Sequence, residues 1–161
     1  MELFERIIAL LDGNKIEYKL LKHEPVYTSE QAAAARTDVS LHQGAKAMVV
    51  KYQRLNIKDQ KEFIMCVLPG DKRIDFKKIR KVLNIADATL ASPEEVERVI
   101  GVKVGAVSPF GNLSGLKVLL DESICDNEEI VFNAGDHSKS VKMKLSDYLC
   151  VVNPERLYFS K

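Results

Sequence analysis

A mixed α/β domain is the fold class this sequence predicts, and three observations carry it. Segments of helical and of strand period are interspersed along the chain rather than gathered into separate blocks. The C-terminal third is richest in short β-prone runs, "LKVLLD", "EEIVFNAG" and "SVKMKL", with turn residues between them. The 161 residues, 46% hydrophobic and 29% charged, suit one domain with its own core. A single domain over 1–161 is therefore expected.

Each element has a local reason. Leu3, Phe4, Ile7, Ile8, Leu10 and Leu11 trace one helical stripe, with Gly13 as its stop. Ile16–Leu21 alternates as a strand. Thr28 with Gln31 fits a capping box ahead of four alanines, which predicts a helix. "AKAMVVKY" and "EFIMCVLP" read as strands separated by a polar turn around Asn56–Lys61. "DFKKIRKVLN" predicts an amphipathic helix with Phe76, Ile79, Val82 and Leu83 inward. In "SPEEVERVIG" Ser92 caps, Pro93 takes the first helical position, Glu95 completes a capping box and Gly101 ends the helix. Ser146 is a candidate cap for a last short helix, Asp147–Leu149.

Composition excludes several functional classes. The formal net charge is +1, so a nucleic-acid partner must be held by a local patch. Cys66, Cys125 and Cys150 lie far apart without a CxxC pair, against a disulfide framework or a zinc site. His23, His42 and His137 form no metal-ligand spacing, so neither metal nor cofactor is expected. The start "MELFERIIALL" carries acids at helical spacing, unlike a signal peptide, and no apolar run reaches the roughly 18 residues of a membrane span. The expected location is cytoplasmic, with no membrane partner.

Four features could carry chemistry. On a strand, Lys46 shares a face with apolar Met48 and Val50, so its ammonium must snorkel, pair or line a cavity. A strand-end lysine reaching solvent fits as well as a fixed charge at a pocket mouth. The stretch "GVKVGAVSPFG", Gly101–Gly111, has little but backbone to offer a ligand. Gly105 opens conformations closed to other residues, and Pro109 pushes Ser108 extended. An ordinary connection between helix and strand fits that stretch too, and Ser108 has no neighbouring base to make it a nucleophile. Lys72, Arg73, Lys77, Lys78, Arg80 and Lys81 stand against one acid, Asp75, either as a solvated helix face or as a footprint for a phosphate backbone. His137 in "NAGDHSKSV" is either a surface loop residue or a proton carrier beside a polar substrate group.

The order of blocks adds to these signals. "HEPVYTSEQAA", "GAKAMVVK", "LPGDKRIDFKKIRKVL", "LASPEEVERVIGVKVGAVSPFG", "VLLDES" and "IVFNAGDHSKSVKM" together resemble the YbaK/ProX family. That family comprises free-standing aminoacyl-tRNA deacylases and the related editing domain inserted in bacterial prolyl-tRNA synthetases. The likeness runs from about His23 to Val152. It implies a mixed, curved, partly barrel-like sheet with flanking helices. It also implies hydrolysis of a mischarged aminoacyl-tRNA, with tRNA as partner, a synthetase as a second partner, and no DNA.

Carried onto this chain, the family lysine matches Lys46 and the GxxxP loop matches Gly105, Ala106, Val107, Ser108 and Pro109. These would position the ester and a water, with help from the tRNA's terminal 2′-hydroxyl. Such an ester is already activated, so placement, within the roughly 7–11 kcal/mol open to well-oriented reactants, matters more than a strong nucleophile. Fixed dipoles and Lys46 would add roughly 3 kcal/mol. "QGAKA", "EIVFNAG", "KSVKMKLSDYL" and "NPERLYF" look most like the branch that clears serine or threonine, with alanine and cysteine esters as other family substrates. Val26, Tyr27, Asn133, Gly135 and His137 are the expected pocket residues, and the basic stretch is the expected tRNA contact. An adaptor that binds tRNA without turnover remains an alternative. A thiol enzyme is a poor third, because Cys66 sits in the apolar run "FIMCVL".

Overall fold

The computed structural model describes residues 1–36, 39–57 and 59–161; Lys58, in the turn expected around Asn56–Lys61, lies outside them. Among the described residues there are five α-helices: α1 Leu3–Gly13, α2 Ser29–Ala35, α3 Phe76–Leu83, α4 Pro93–Ile100 and α5 Leu145–Val152. The eight strands are β1 Tyr18–Lys22, β2 Ala45–Arg54, β3 Glu62–Pro69, β4 Ile85–Leu90, β5 Val118–Asp121, β6 Glu129–Asn133, β7 Lys139–Lys144 and β8 Glu155–Leu157. The α/β class expected from the sequence is what forms. No helix among the described residues is long and apolar enough to cross a membrane.

The strands make two sheets. A three-stranded antiparallel sheet has the order β1-β7-β6, and a five-stranded mixed sheet has the order β4-β2-β3-β5-β8. In the second, β5 runs parallel to both β3 and β8, and the other pairs are antiparallel. A parallel bridge, Gly44 to Val131, joins the two sheets, and neither closes on itself among the described residues.

The period of two along β2 and β3 builds both cores. Ala45, Val49, Met65 and Val67 face a large cluster with α1, α4, α5, β6 and β7, where Ile7, Leu11, Phe110, Phe132 and Tyr148 are buried. Val50, Ile64, Cys66 and Leu68 face a smaller cluster with Ile74, Ile79 of α3 and Phe159. Cys66 is fully buried, and that burial pushes its thiol up to about 12, which removes it as a reactive thiol at neutral pH. Because both faces of β2 are covered, Lys46 at its start can reach solvent only past the end of the sheet.

Local expectations hold with a few corrections. Ser92 and Glu95 form the complete capping box, with Pro93 in the first turn. Thr28 caps α2 through its bond from the Gln31 N–H, but the Gln31 side chain accepts from Tyr27 N–H, one residue before the cap. Val82 is exposed rather than inward; Phe76, Ile79 and Leu83 suffice to seat α3. The last helix starts at Leu145, not Ser146, since the buried Leu145 and Tyr148 set its inner face. Strands β4 and β8 had no clear sequence signal: "IADATL" is largely exposed, and β8 has three residues.

One buried acid ties the C-terminus to this frame. Asp121 is fully buried at the end of β5. Its carboxylate accepts from the Ser123 hydroxyl, from the N–H groups of Phe159 (2.8 Å) and Ser160 (2.9 Å), from the Ser160 hydroxyl (2.9 Å) and from Ser123 N–H (3.2 Å). Burial alone would raise its pKa, but these donors outweigh it and hold the group below the ordinary carboxylate value. The stabilisation is therefore complete above the ordinary value of roughly 3.9 and is lost as pH falls through the depressed folded value. Asp121→Asn should cost about 1.5–3 kcal/mol in urea unfolding at pH 7, and the gap to wild type should narrow toward pH 3 or below.

Candidate active site

Where the N-terminal ends of α2 and β2 meet the end of β3, the chain leaves a cleft with about 570 Å³ of empty space, its open mouth included. Helix α2 contributes Ser29, Ala32 and Ala33 to one wall, and Gly44–Ala47 contributes another. Gly70, just past β3, lies beneath, where a Cβ would meet the Leu41 carbonyl oxygen at 2.6 Å. Gly105 and Val107 close the opposite side with Tyr27 and Asn133. Lys46 and the glycine loop, far apart in sequence, therefore share one space.

Lys46 is half-buried, and its Nζ donates a long bond to the Gly70 carbonyl at 3.4 Å. Burial pulls its ammonium below the ordinary lysine value; Glu30 and Asp71 act against that shift and Arg73 adds to it. The group is thus a desolvated cation with spare donors at a cleft wall, suited to an oxyanion or phosphate.

The loop is held by side chains from elsewhere in the fold. Gly105 has φ +96°, and a Cβ there would lie 3.1 Å from His137 Nε2, so backbone and space both demand glycine. Having no side chain, Gly105 presents only backbone to the cleft. Its carbonyl accepts from Asn133 Nδ2. The Val104 carbonyl accepts from His137 Nε2 at 3.1 Å, which puts the ring proton on that nitrogen. Pro109 is buried, and its carbonyl accepts from Tyr148 Oη at 2.6 Å. Tyr148 in turn packs edge-on against Phe110 in the main core.

The expected residues divide into two groups. Lys46, Gly105, Val107, Tyr27 and Asn133 line the cleft. Ala106, Gly135 and His137 border a second depression on the other side of Tyr27, with Pro25, Lys103 and Asp136. Val26 is not a pocket wall: it is buried and its N–H donates to the His137 carbonyl at 2.9 Å. Ser108 is 2% exposed, its hydroxyl has no partner among the described residues, and it does not line the cleft. Of the basic residues, Arg73 is close enough to Lys46 to oppose its protonation. Lys77, Lys78 and Lys81 stand exposed on α3 and Arg80 is half-buried there, while Lys72 is half-buried in the turn before α3; none of them lines the cleft.

Sequence reasoning missed Arg36. An arginine ending a run of alanines reads as a solvated helix terminus, yet this one is 8% exposed and lines the cleft. Its Nε donates to Ser140 Oγ at 3.0 Å and its Nη2 to Asn133 Oδ1 at 3.1 Å. Asn133 and Ser140 are direct partners across β6 and β7, so they share a face. That face also carries Glu129, Lys142 and Lys144, so a polar pair on it gave no signal in the sequence that a buried cation would meet it. Burial pulls the Arg36 guanidinium down to about 10, leaving it charged at neutral pH.

Known proteins share this arrangement of sequence. The family model for the aminoacyl-tRNA editing domain matches residues 23–150. The multifunctional Ser/Thr-tRNA deacylase ProXp-y of Escherichia coli K12 is 33% identical over 158 residues, covering 98% of this chain and 92% of its own length. The prolyl-tRNA editing protein ProX of Acetoanaerobium sticklandii is 26% identical over 151 residues, covering 91% of this chain and 88% of its own. A crystal structure of a candidate trans-editing enzyme for prolyl tRNA synthetase superposes with TM-score 0.80 at 19% identity over 100% of this chain and 98% of its own, which shows the common fold.

The anchor on the loop can be tested without any substrate. Tyr148→Phe keeps the core ring and removes the bond to Pro109. It should cost about 1 kcal/mol in urea unfolding. Amide hydrogen exchange at Gly105–Ser108 should rise by more than the global change accounts for.

Proposed function

The chain belongs to the aminoacyl-tRNA editing family, and from that premise we propose that it hydrolyses the ester joining a wrong amino acid to tRNA, with residues 1–161 acting as one editing unit. The observation that carries this is the shared cleft of Lys46 and the Gly105 loop. Water adds to the ester carbonyl carbon, the bond to the ribosyl oxygen breaks, and the water's proton ends on that oxygen. Free amino acid and uncharged tRNA leave. The Lys46 ammonium offsets the negative charge that develops on the carbonyl oxygen. The Gly105 carbonyl, aimed by Asn133, has a second lone pair for the attacking water, and the tRNA's terminal 2′-hydroxyl helps place it. Ala106, Val107, Ser108 and Pro109 hold that backbone in position. The scheme needs no metal or organic cofactor.

Serine or threonine is the proposed amino acid. The 33% identity to a Ser/Thr-tRNA deacylase supports it, and so do the small cleft residues Ala32, Ala33, Ala45 and Ala47, which suit a small side chain. Tyr27, with Asn133, walls the substrate, and Tyr27 packs on His137 with ring centroids 4.6 Å apart beside Gly135. The tRNA would follow the basic residues that start at the cleft rim with Lys72 and Arg73 and continue on α3 with Lys77, Lys78, Arg80 and Lys81. A synthetase that hands over the mischarged tRNA is a compatible partner.

Deacylation of Ser-, Thr-, Ala-, Cys- and Pro-charged tRNAs by wild type and Lys46→Ala tests the reading. Wild type should release serine or threonine, and Lys46→Ala should be about 10²–10³-fold slower with its melting temperature little changed. An active Lys46→Ala variant would sink the role of the lysine. Silence of wild type across the panel, with tRNA still bound, would make the protein an adaptor.

Two further outcomes follow from charge. The Lys46 ammonium is the working form and its pKa is lowered, so the enzymatic rate, corrected for spontaneous ester loss, should begin to fall at a pH below the ordinary lysine value of 10.5. Lys77→Glu with Lys81→Glu should weaken tRNA binding and flatten its dependence on salt, while leaving the site itself intact.

A further inference from the structure

Arg36 is the most buried charged group of the cleft, and its orientation is determined by a chain of bonds running one way. His23 Nδ1 lies 2.8 Å from the Glu24 carbonyl, so it carries the ring proton and leaves Nε2 as an acceptor. Ser140 Oγ, 2.7 Å away, donates to that Nε2 and therefore accepts from Arg36 Nε. Arg36 Nη2 donates to Asn133 Oδ1, which turns the Asn133 amide toward the Gly105 carbonyl. Every member of the chain has its role set by the next, and the guanidinium cannot rotate without breaking two bonds.

That lock leaves Nη1 over the cleft. It lies 3.5 Å from where a Cβ on Gly44 would sit, and Gly44 is itself a cleft residue. Among the described residues Nη1 has no acceptor, and no carboxylate pairs with Arg36. Nη1 faces the open cleft rather than a sealed core, so a substrate that displaces water from it must supply an oxygen in return. With the ester held between Lys46 and Gly105, which share this cleft with Arg36, the amino-acid side chain is the part of the substrate that can turn toward Nη1. An α-ammonium would be repelled there; a side-chain hydroxyl would be welcomed as an acceptor.

We propose that Arg36 is the residue that reads the hydroxyl of the amino acid being removed, its Nη1 donating to the side-chain oxygen of serine or threonine. The inference rests on the Ser/Thr reading above and gives it a physical source. An amino acid without the hydroxyl leaves the buried cation unmatched, which is how a site built for a hydrogen bond rejects an analogue that a merely apolar pocket could not.

The test uses non-hydrolysable 3′-amide analogues of terminal adenosine carrying serine or 2-aminobutyrate, in which a methyl replaces the hydroxyl. Wild type should bind the seryl analogue about tenfold or more tighter. Arg36→Met should bind both alike, and in turnover its Ser-to-Ala rate ratio should fall by a similar factor. No preference in wild type, or a preference retained by Arg36→Met, overturns the inference. Should Arg36→Met fail to fold, the wild-type comparison and Arg36→Gln, judged by the same ratio, decide it. A wild type that hydrolyses Ser-tRNA yet binds the two analogues equally refutes the role of Arg36 alone. A wild type that prefers the seryl analogue but hydrolyses nothing refutes the deacylase reading and leaves the hydroxyl reader in place.

Discussion

Burial of both faces of β2 and β3 is the constraint from which the rest of this structure follows. With Ala45 and Val49 in one cluster and Val50, Cys66 and Leu68 in the other, a slip of one residue would exchange every side chain between two differently shaped cores. The register of β2 on β3, from Ala45 opposite Pro69 to Tyr52 opposite Glu62, is fixed by that penalty. It also fixes where the pair ends. Lys46 is the second residue of β2, opposite Leu68, and Gly70 lies just past its partner strand. A cation is thereby held at the lip of a packed core, its Nζ donating to the Gly70 carbonyl.

The second sheet supplies the other half of the site by a different means. Its core-facing residues, Ile130, Phe132, Val141 and Met143, anchor it on the main cluster, which turns Asn133 and Ser140 to the opposite face. Arg36 bridges that polar pair at the end of α2 and so joins helix, sheet and glycine loop into one hydrogen-bonded unit. The cost of burying a guanidinium is offset only while all its partners stay in place. Such a network is rigid in the sense that matters here: it holds a backbone carbonyl and a row of donors in fixed directions before any substrate arrives.

The glycine loop shows how backbone groups are held in fixed directions by side chains from elsewhere in the fold. Its carbonyls are held from three sides, by His137 on Val104, Asn133 on Gly105 and Tyr148 on Pro109. The aromatic anchor belongs to the core, the amide to the sheet and the imidazole to the loop beyond it. Gly105, with its positive φ, takes without strain a conformation closed to other residues, and these three bonds hold the loop in it.

Much of this was legible in order along the chain, because the signals are local. The capping box at Ser92–Glu95, the stripe of α1 and the alternation of β2 and β3 depend on neighbours within one or two turns, so the sequence by itself determined those elements and placed Lys46 on an apolar strand face. The block order also determined the family. Tertiary structure alone decided which residues meet. Val26 and Ser108, promising in sequence, turned out to be packed away, and Arg36, which looks like an ordinary helix end, became the deepest charge in the cleft. The physical reason is that periodicity reports which face a residue takes, whereas a buried polar contact such as Arg36 with Asn133 and Ser140 exists only once two distant segments have been brought within hydrogen-bond reach.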